Sequence, residues 1–185
     1  MNNYITRLRD IVPLRSLSAA ETLRLAERQA TKFLRLVGLT EPPLPEDSIS
    51  QVRRVHIERV AMDEGHHAAS RWIGAHWVIV LNASDSHKQQ RWSLAHEFKH
   101  IVDNPFVDVI YRRGERYGVQ AEQACEYFAG CLLVPGRWLR RAWKAGIRDP
   151  QVLAERFCVT IQAVIARLLQ TGLIPPTSHH LTREA

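Results

Sequence analysis

The chain has 185 residues, 45% of them hydrophobic, and its 25 Lys and Arg outnumber 19 Asp and Glu for a formal net charge of +6. That length suits one domain with a real core and a small appendage, and the charge is weak evidence for an acidic or nucleic-acid partner. No run approaches a membrane span, no signal-peptide pattern opens the chain, and three cysteines in apolar settings make no disulfide framework, so the expectation is a cytoplasmic protein with no membrane role.

Ser18-Ala19-Ala20-Glu21 has capping-box spacing, and Leu23, Ala26, Ala30, Phe33, Leu34 and Val37 follow at helical intervals until Gly38. Glu41-Pro42-Pro43-Leu44-Pro45 is a stiff connector. Two β-like stretches come next. Residues 52–62 alternate loosely through Val55, Ile57 and Val60, and His76 to Asn82 is a short apolar run. Gly65-His66-His67 and Gly74 mark turns between them. As neighbours in a turn, His66 and His67 point different ways, and both read as surface residues.

Asp85 or Ser86 then caps a helix that ends at Asp103-Asn104-Pro105, where proline disfavours helical geometry in the residue before it. It contains His96-Glu97-Phe98-Lys99-His100. Residues four apart on a helix lie one above the other, so both imidazoles reach one metal ion, and Glu97 beside them addresses a water bound to it. With nine His and twelve Glu, shuffling produces only about 0.03 such matches per chain. The flanking Trp92, Leu94, Ala95, Phe98, Ile101 and Val102 are apolar, and polar groups buried among them need a partner, which a metal supplies.

A catalytic zinc has three protein ligands, so a further donor is required. The segment from Ala121 to Pro135 reads as a second helix with Ala124, Cys125, Phe128, Ala129, Leu132 and Leu133 on its apolar face. Glu122 and Glu126 are four apart on it. Either suits the metal, leaving the other to accept a hydrogen bond from the free nitrogen of a liganding histidine.

Residues 135–148 carry Arg137, Arg140, Arg141, Lys144 and Arg148 around Trp138, Leu139 and Trp143, a helix expected to dock its apolar side on the core. Asp149-Pro150 starts a helical hairpin. Its second member is capped by Thr160 and stopped by Gly172. Residues 153–169 resemble a helix-turn-helix with Cys158 where the turn often has glycine. Gln162 and Arg167 are its only candidates for reading DNA, so a structural or partner-docking hairpin is expected. Residues 175–185 read as a frayed tail.

The runs Arg91 to Asp103 and Glu122 to Pro135 resemble the ImmA/IrrE metallopeptidase family, whose zinc helix has a (Ser/Thr)-Leu-Ala-His-Glu-x-x-His pattern and whose second helix ends in Leu-Leu-x-Pro. The resemblance spans roughly residues 50 to 174. It implies an α+β fold: a zincin-like core with a small antiparallel or mixed sheet, a zinc helix, and a C-terminal helix-turn-helix-like hairpin. Divided so, residues 1–45 are the N-terminal helix and connector, 46–148 the peptidase core, 149–174 the hairpin and 175–185 the tail.

The resemblance further implies a Zn²⁺ cofactor, His96 and His100 as ligands, Glu97 as general base, Glu122 as third ligand, and Glu126 in support of a histidine. In such a layout a strand just before the zinc helix is an edge that pairs with substrate. Tyr111, Tyr117 or an arginine nearby is a candidate to stabilise the oxyanion. Lys99 and Cys125 depart from the family pattern, and a lysine so near the metal is expected to influence substrate entry or water acidity. The implied activity is a zinc endopeptidase acting on a protein such as a transcriptional repressor. The alternatives are a DNA-associated regulator and a silent repressor-binding module with a structural or sensory metal.

Overall fold

In a computed structural model, residues 3–111 and 117–176 are described. Helix α1 (Tyr4–Arg9) leads into α2 (Ala19–Leu36), where the capping box forms in full: Ser18 N–H donates to Glu21 Oε2 at 2.9 Å and Glu21 N–H to Ser18 Oγ at 3.3 Å. Gly38 ends the helix region at φ +70°, a backbone conformation that only glycine adopts without cost. After the proline connector come α3 (Asp47–Ser50), β1 (Val55–Val60), β2 (Ala68–Ile73) and β3 (His76–Asn82). Then follow α4 (His87–Asp103), a 3₁₀ turn at Asn104–Phe106, and α5 (Val107–Ile110). The chain continues with α6 (Tyr117–Leu133), α7 (Gly136–Lys144), α8 (Pro150–Phe157) and α9 (Ile161–Gln170).

The fold is α+β with a small mixed sheet, as the sequence implies. Two details differ. β2 occupies a stretch that reads from sequence only as a span between turns. Its alternation is masked because Ala68, Ala69, Ser70 and Arg71 carry little apolar surface while Trp72 and Ile73 are exposed, the pattern of an edge with little to bury. The strand order is β1-β3-β2, with β3 parallel to β1 and antiparallel to β2. The strand just before α4 is therefore central, not an edge, which agrees with its continuous burial from Val78 to Asn82.

Register decides which sheet face meets the helices. Ser70 pairs with Ile79 and Ala68 with Leu81, so these four share the face that packs on α4. One hydrophobic cluster joins Leu8, Phe33, Ile79, Leu81, Phe98, Phe128, Leu139, Phe157 and Leu168, drawing on α1, α2, β3, α4, α6, α7, α8 and α9. Trp138, Leu139 and Ala142 of α7 are buried in it, so the basic helix docks as expected and turns its arginines outward. In the hairpin, Asp149 Oδ1 accepts from Gln151 N–H at 2.8 Å and Thr160 Oγ1 from Ala163 N–H at 3.2 Å. Cys158 stands between the two helices at φ +54°, which explains why a turn of this shape favours glycine. Arg167 is not a DNA-reading residue. It is 1% exposed, donates to Val134 O at 3.2 Å and Gln170 Oε1 at 2.7 Å, and lies over the Tyr127 ring.

Candidate metal centre

Three elements build the site. Ser86 Oγ accepts from Gln89 N–H at 3.2 Å and sets the start of α4, which aims His96 and His100 from successive turns toward α6. Their Nε2 atoms are 3.1 Å apart. From α6, Glu122 reaches both: Oε2 lies 3.1 Å from His96 Nε2 and Oε1 lies 3.4 Å from His100 Nε2. Donors held 2.0–2.1 Å from one tetrahedral ion are separated by roughly 3.3 Å, so this triangle has the dimensions of a metal site. The donor set, two imidazole nitrogens and a carboxylate, also suits zinc chemistry.

Glu126, one turn beyond Glu122, lies with Oε1 3.2 Å from His96 Nδ1, and its Oε2 accepts from Trp92 Nε1–H at 3.0 Å. Burial by itself pushes the His96 imidazole pKa down. The hydrogen bond and charge of Glu126, with Glu122 and Glu97 close by, outweigh it and hold the value above the histidine norm. The same contact holds the Glu126 carboxylate below its norm. A site so rich in carboxylate favours a cation.

Glu97 projects from α4 toward the sheet, where Ser70 Oγ–H donates to its Oε2 at 2.6 Å. Sequence reasoning misses Ser70, because it lies in the strand β2 that composition conceals. Gly65, His66, His67 and Ala68 line one wall of a cleft of about 280 Å³, while His96, Glu97, Glu122 and Glu126 line the other. His67 Nδ1 is 2.9 Å from Asp85 Oδ2, which engages that ring away from the triangle, and both turn histidines are exposed.

Cys125, read from sequence as a small core residue, lies beneath the two imidazoles. Its sulfur and one nitrogen of each histidine are all within 4.8 Å of one another. Burial pushes its thiol pKa well above the ordinary value, whereas Glu122 sets one carboxylate oxygen 3.1 Å from His96 Nε2 and the other 3.4 Å from His100 Nε2. Lys99 faces the core and does not line the cleft. It is fully buried and paired with Asp103, whose Oδ2 also accepts from the Tyr111 hydroxyl, while Gln29 Nε2 donates to Oδ1 at 3.4 Å. This network sequesters Tyr111 from any oxyanion. Residues 112–116 and the Tyr117 side chain, the other candidates, lie outside the described residues.

The profile of the Peptidase_M78 family, described as the IrrE N-terminal-like domain, matches residues 52–169. No curated protein matches. Among solved structures, a Mycobacterium tuberculosis transcriptional regulator superposes with a TM-score of 0.59 at 18% identity. The match covers 89% of this chain and 51% of that one, so this chain spans about half the length of the regulator, and the likeness is one of fold. With the profile covering well over half its length, the chain belongs to the M78 family of metallopeptidases.

Proposed function

We propose that this member of the M78 family is a zinc-dependent endopeptidase that cuts a specific protein, such as a transcriptional repressor, in the cytoplasm. One observation carries the reading: His96, His100 and Glu122 converge at 3.1–3.4 Å beside Glu97 in a cleft. Those three residues would hold a divalent ion, which would supply Lewis-acid polarisation of a carbonyl and lower the pKa of water. Glu97 then accepts the proton of the attacking water and returns it to the leaving amine. Ser70 keeps the Glu97 carboxylate turned into the cleft. Glu126, facing Nδ1–H of His96, favours the tautomer whose Nε2 lone pair is free to bind metal. The outer edge of β2 offers unpaired backbone groups to an extended peptide.

The alternative, a DNA-associated regulator or a silent repressor-binding module, draws support from the mycobacterial protein of similar fold, itself described as a transcriptional regulator. It is disfavoured by the burial of Arg167, which leaves Gln162 as the exposed polar candidate on α9. Free cysteines and the lack, among the described residues, of a helix long and apolar enough to cross a membrane fit the proposed location.

The test is elemental analysis of the purified chain beside cleavage of a peptide mixture. Wild type should carry about one zinc per chain, and Glu97→Gln should keep it while losing cleavage. A folded, metal-free wild type after zinc is supplied, or a Glu97→Gln protein that still cleaves, sinks the reading.

A further inference from the structure

A second cavity, of about 220 Å³, opens further along the same face of β2. Its walls are Trp72 and Trp77, with Arg53, Arg54 and Arg9 around them and Asn3 at the start of α1. Trp72 and Trp77 are cross-strand partners, with ring centroids 5.5 Å apart in an edge-on arrangement, and Trp72 is 49% exposed. Arg9 is committed, its guanidinium donating to Ile101 O at 2.8 Å and Val102 O at 3.1 Å. Arg53 and Arg54 are exposed, and neither guanidinium has an ion-pair or hydrogen-bond partner among the described residues. Among the described residues, no carboxylate lines the cavity. Arg54 holds its place through an unusual backbone, at φ +64°, while its carbonyl accepts from Trp77 N–H at 2.7 Å.

Position relative to the reactive centre gives this cavity meaning. Ser70, which binds Glu97, and Trp72 are alternate residues of β2, so they point the same way about 7 Å apart. On α4, Glu97 and Ile101 are likewise one turn apart, and Ile101 supplies a carbonyl that anchors Arg9. An extended peptide lying along the β2 edge across Glu97 therefore passes Trp72 one or two residues from the bond facing Glu97, and a long side chain laid across that ring points toward Trp77 and the two arginines, whose backbone lies on the β1 side of β3. The volume is below the 300–1,000 Å³ typical of whole small-molecule ligands, and it suits one side chain better than a nucleotide.

We propose that this cavity is a specificity subsite that takes an acidic side chain of the substrate, with Arg53 and Arg54 pairing its carboxylate and Trp72 and Trp77 covering its methylene stem. The inference rests on the reading of the cleft as a peptide site. Arginine suits the role because its planar donors meet a carboxylate in a bidentate fashion.

The probe is a set of alanine-based nonapeptides through which a single Glu, or its isostere Gln, is walked. Each is titrated by tryptophan fluorescence into zinc-supplied Glu97→Gln protein, which prevents turnover. Glu should bind about five- to tenfold tighter than Gln at one position, and the preference should shrink in high salt. It should vanish when Arg53→Gln and Arg54→Gln are combined, two exposed changes that leave the core intact. Trp72→Ala should weaken Glu and Gln peptides alike. Equal binding of the two series at every position, or a preference that survives the double change, overturns the proposal. Tighter binding of an octathymidylate that depends on the same arginines and Trp72 overturns it in favour of single-stranded nucleic acid. Wild-type protein is assayed for cleavage of the same peptides. An arginine-dependent preference for Glu with no cleavage sinks the peptidase reading and leaves the subsite standing.

Discussion

Replacing Lys99 with Met tests whether the buried network behind α4 is worth what its geometry implies. The side chains of Lys99 and Asp103 are 1% and 2% exposed, so the change strands a carboxylate in the core. Removing one partner of a buried pair costs about 3–5 kcal/mol. Asp103 keeps the Tyr111 hydroxyl on Oδ2 and Gln29 Nε2 on Oδ1, which places the expected loss near the lower end, about 3 kcal/mol. For a chain of this size each kcal/mol moves the midpoint by about 2–4 °C, so the melt should fall by roughly 6–12 °C. Calorimetry at neutral pH, with urea unfolding to check that m is unchanged, measures it. The triple change Lys99→Met, Asp103→Leu, Tyr111→Phe removes the charges and the hydroxyl together, and should return to within about 1–2 kcal/mol of wild type. A Lys99→Met protein melting within about 2 °C of wild type, or a triple variant less stable than the single one, would refute the reasoning.

Glu126→Gln should weaken metal binding by about 10–100-fold through loss of the charge on His96 Nδ1, and Glu122→Gln should weaken it more; competition against a chromophoric chelator ranks them. Ser18→Ala should cost about 1 kcal/mol in urea unfolding by removing the cap of α2. Its partner Glu21, held at about 2 first by the Arg15 hydrogen bond and then by those of Ser18, titrates below its ordinary 4.5. Stability from Glu21 is therefore full above about pH 4.5 and lost as pH falls toward 2, a slope that Glu21→Gln should flatten. Gly130→Ala should destabilise by about 1–3 kcal/mol, because the new methyl meets Arg167 Cδ at 2.8 Å in a side chain that is itself buried; a neutral result in thermal melts would show that Arg167 can move.

Much of the molecule is legible from local pattern. The capping box at Ser18 and Glu21, the stop at Gly38, the Asp149-Pro150 start and the Thr160 cap each depend on residues within one or two turns, and each forms in the structure. The same holds for His96 and His100, whose four-residue spacing on one helix dictates that their rings share a side. Glu122 and Glu126 are equivalent in that respect, and residue spacing alone does not separate their roles.

What only tertiary structure decided lies in contacts between distant segments. Sequence distance hides that Glu122 spans both Nε2 atoms while Glu126 stands on Nδ1, because this depends on how α6 crosses α4. Ser70 reaches Glu97 from 27 residues away through a strand whose composition conceals it. Lys99, beside the site in sequence, is turned a third of a helical turn from His100 and so enters the core, where Asp103, Tyr111 and Gln29 make its burial tolerable. Helical period places a side chain on a face; only packing determines what that face meets.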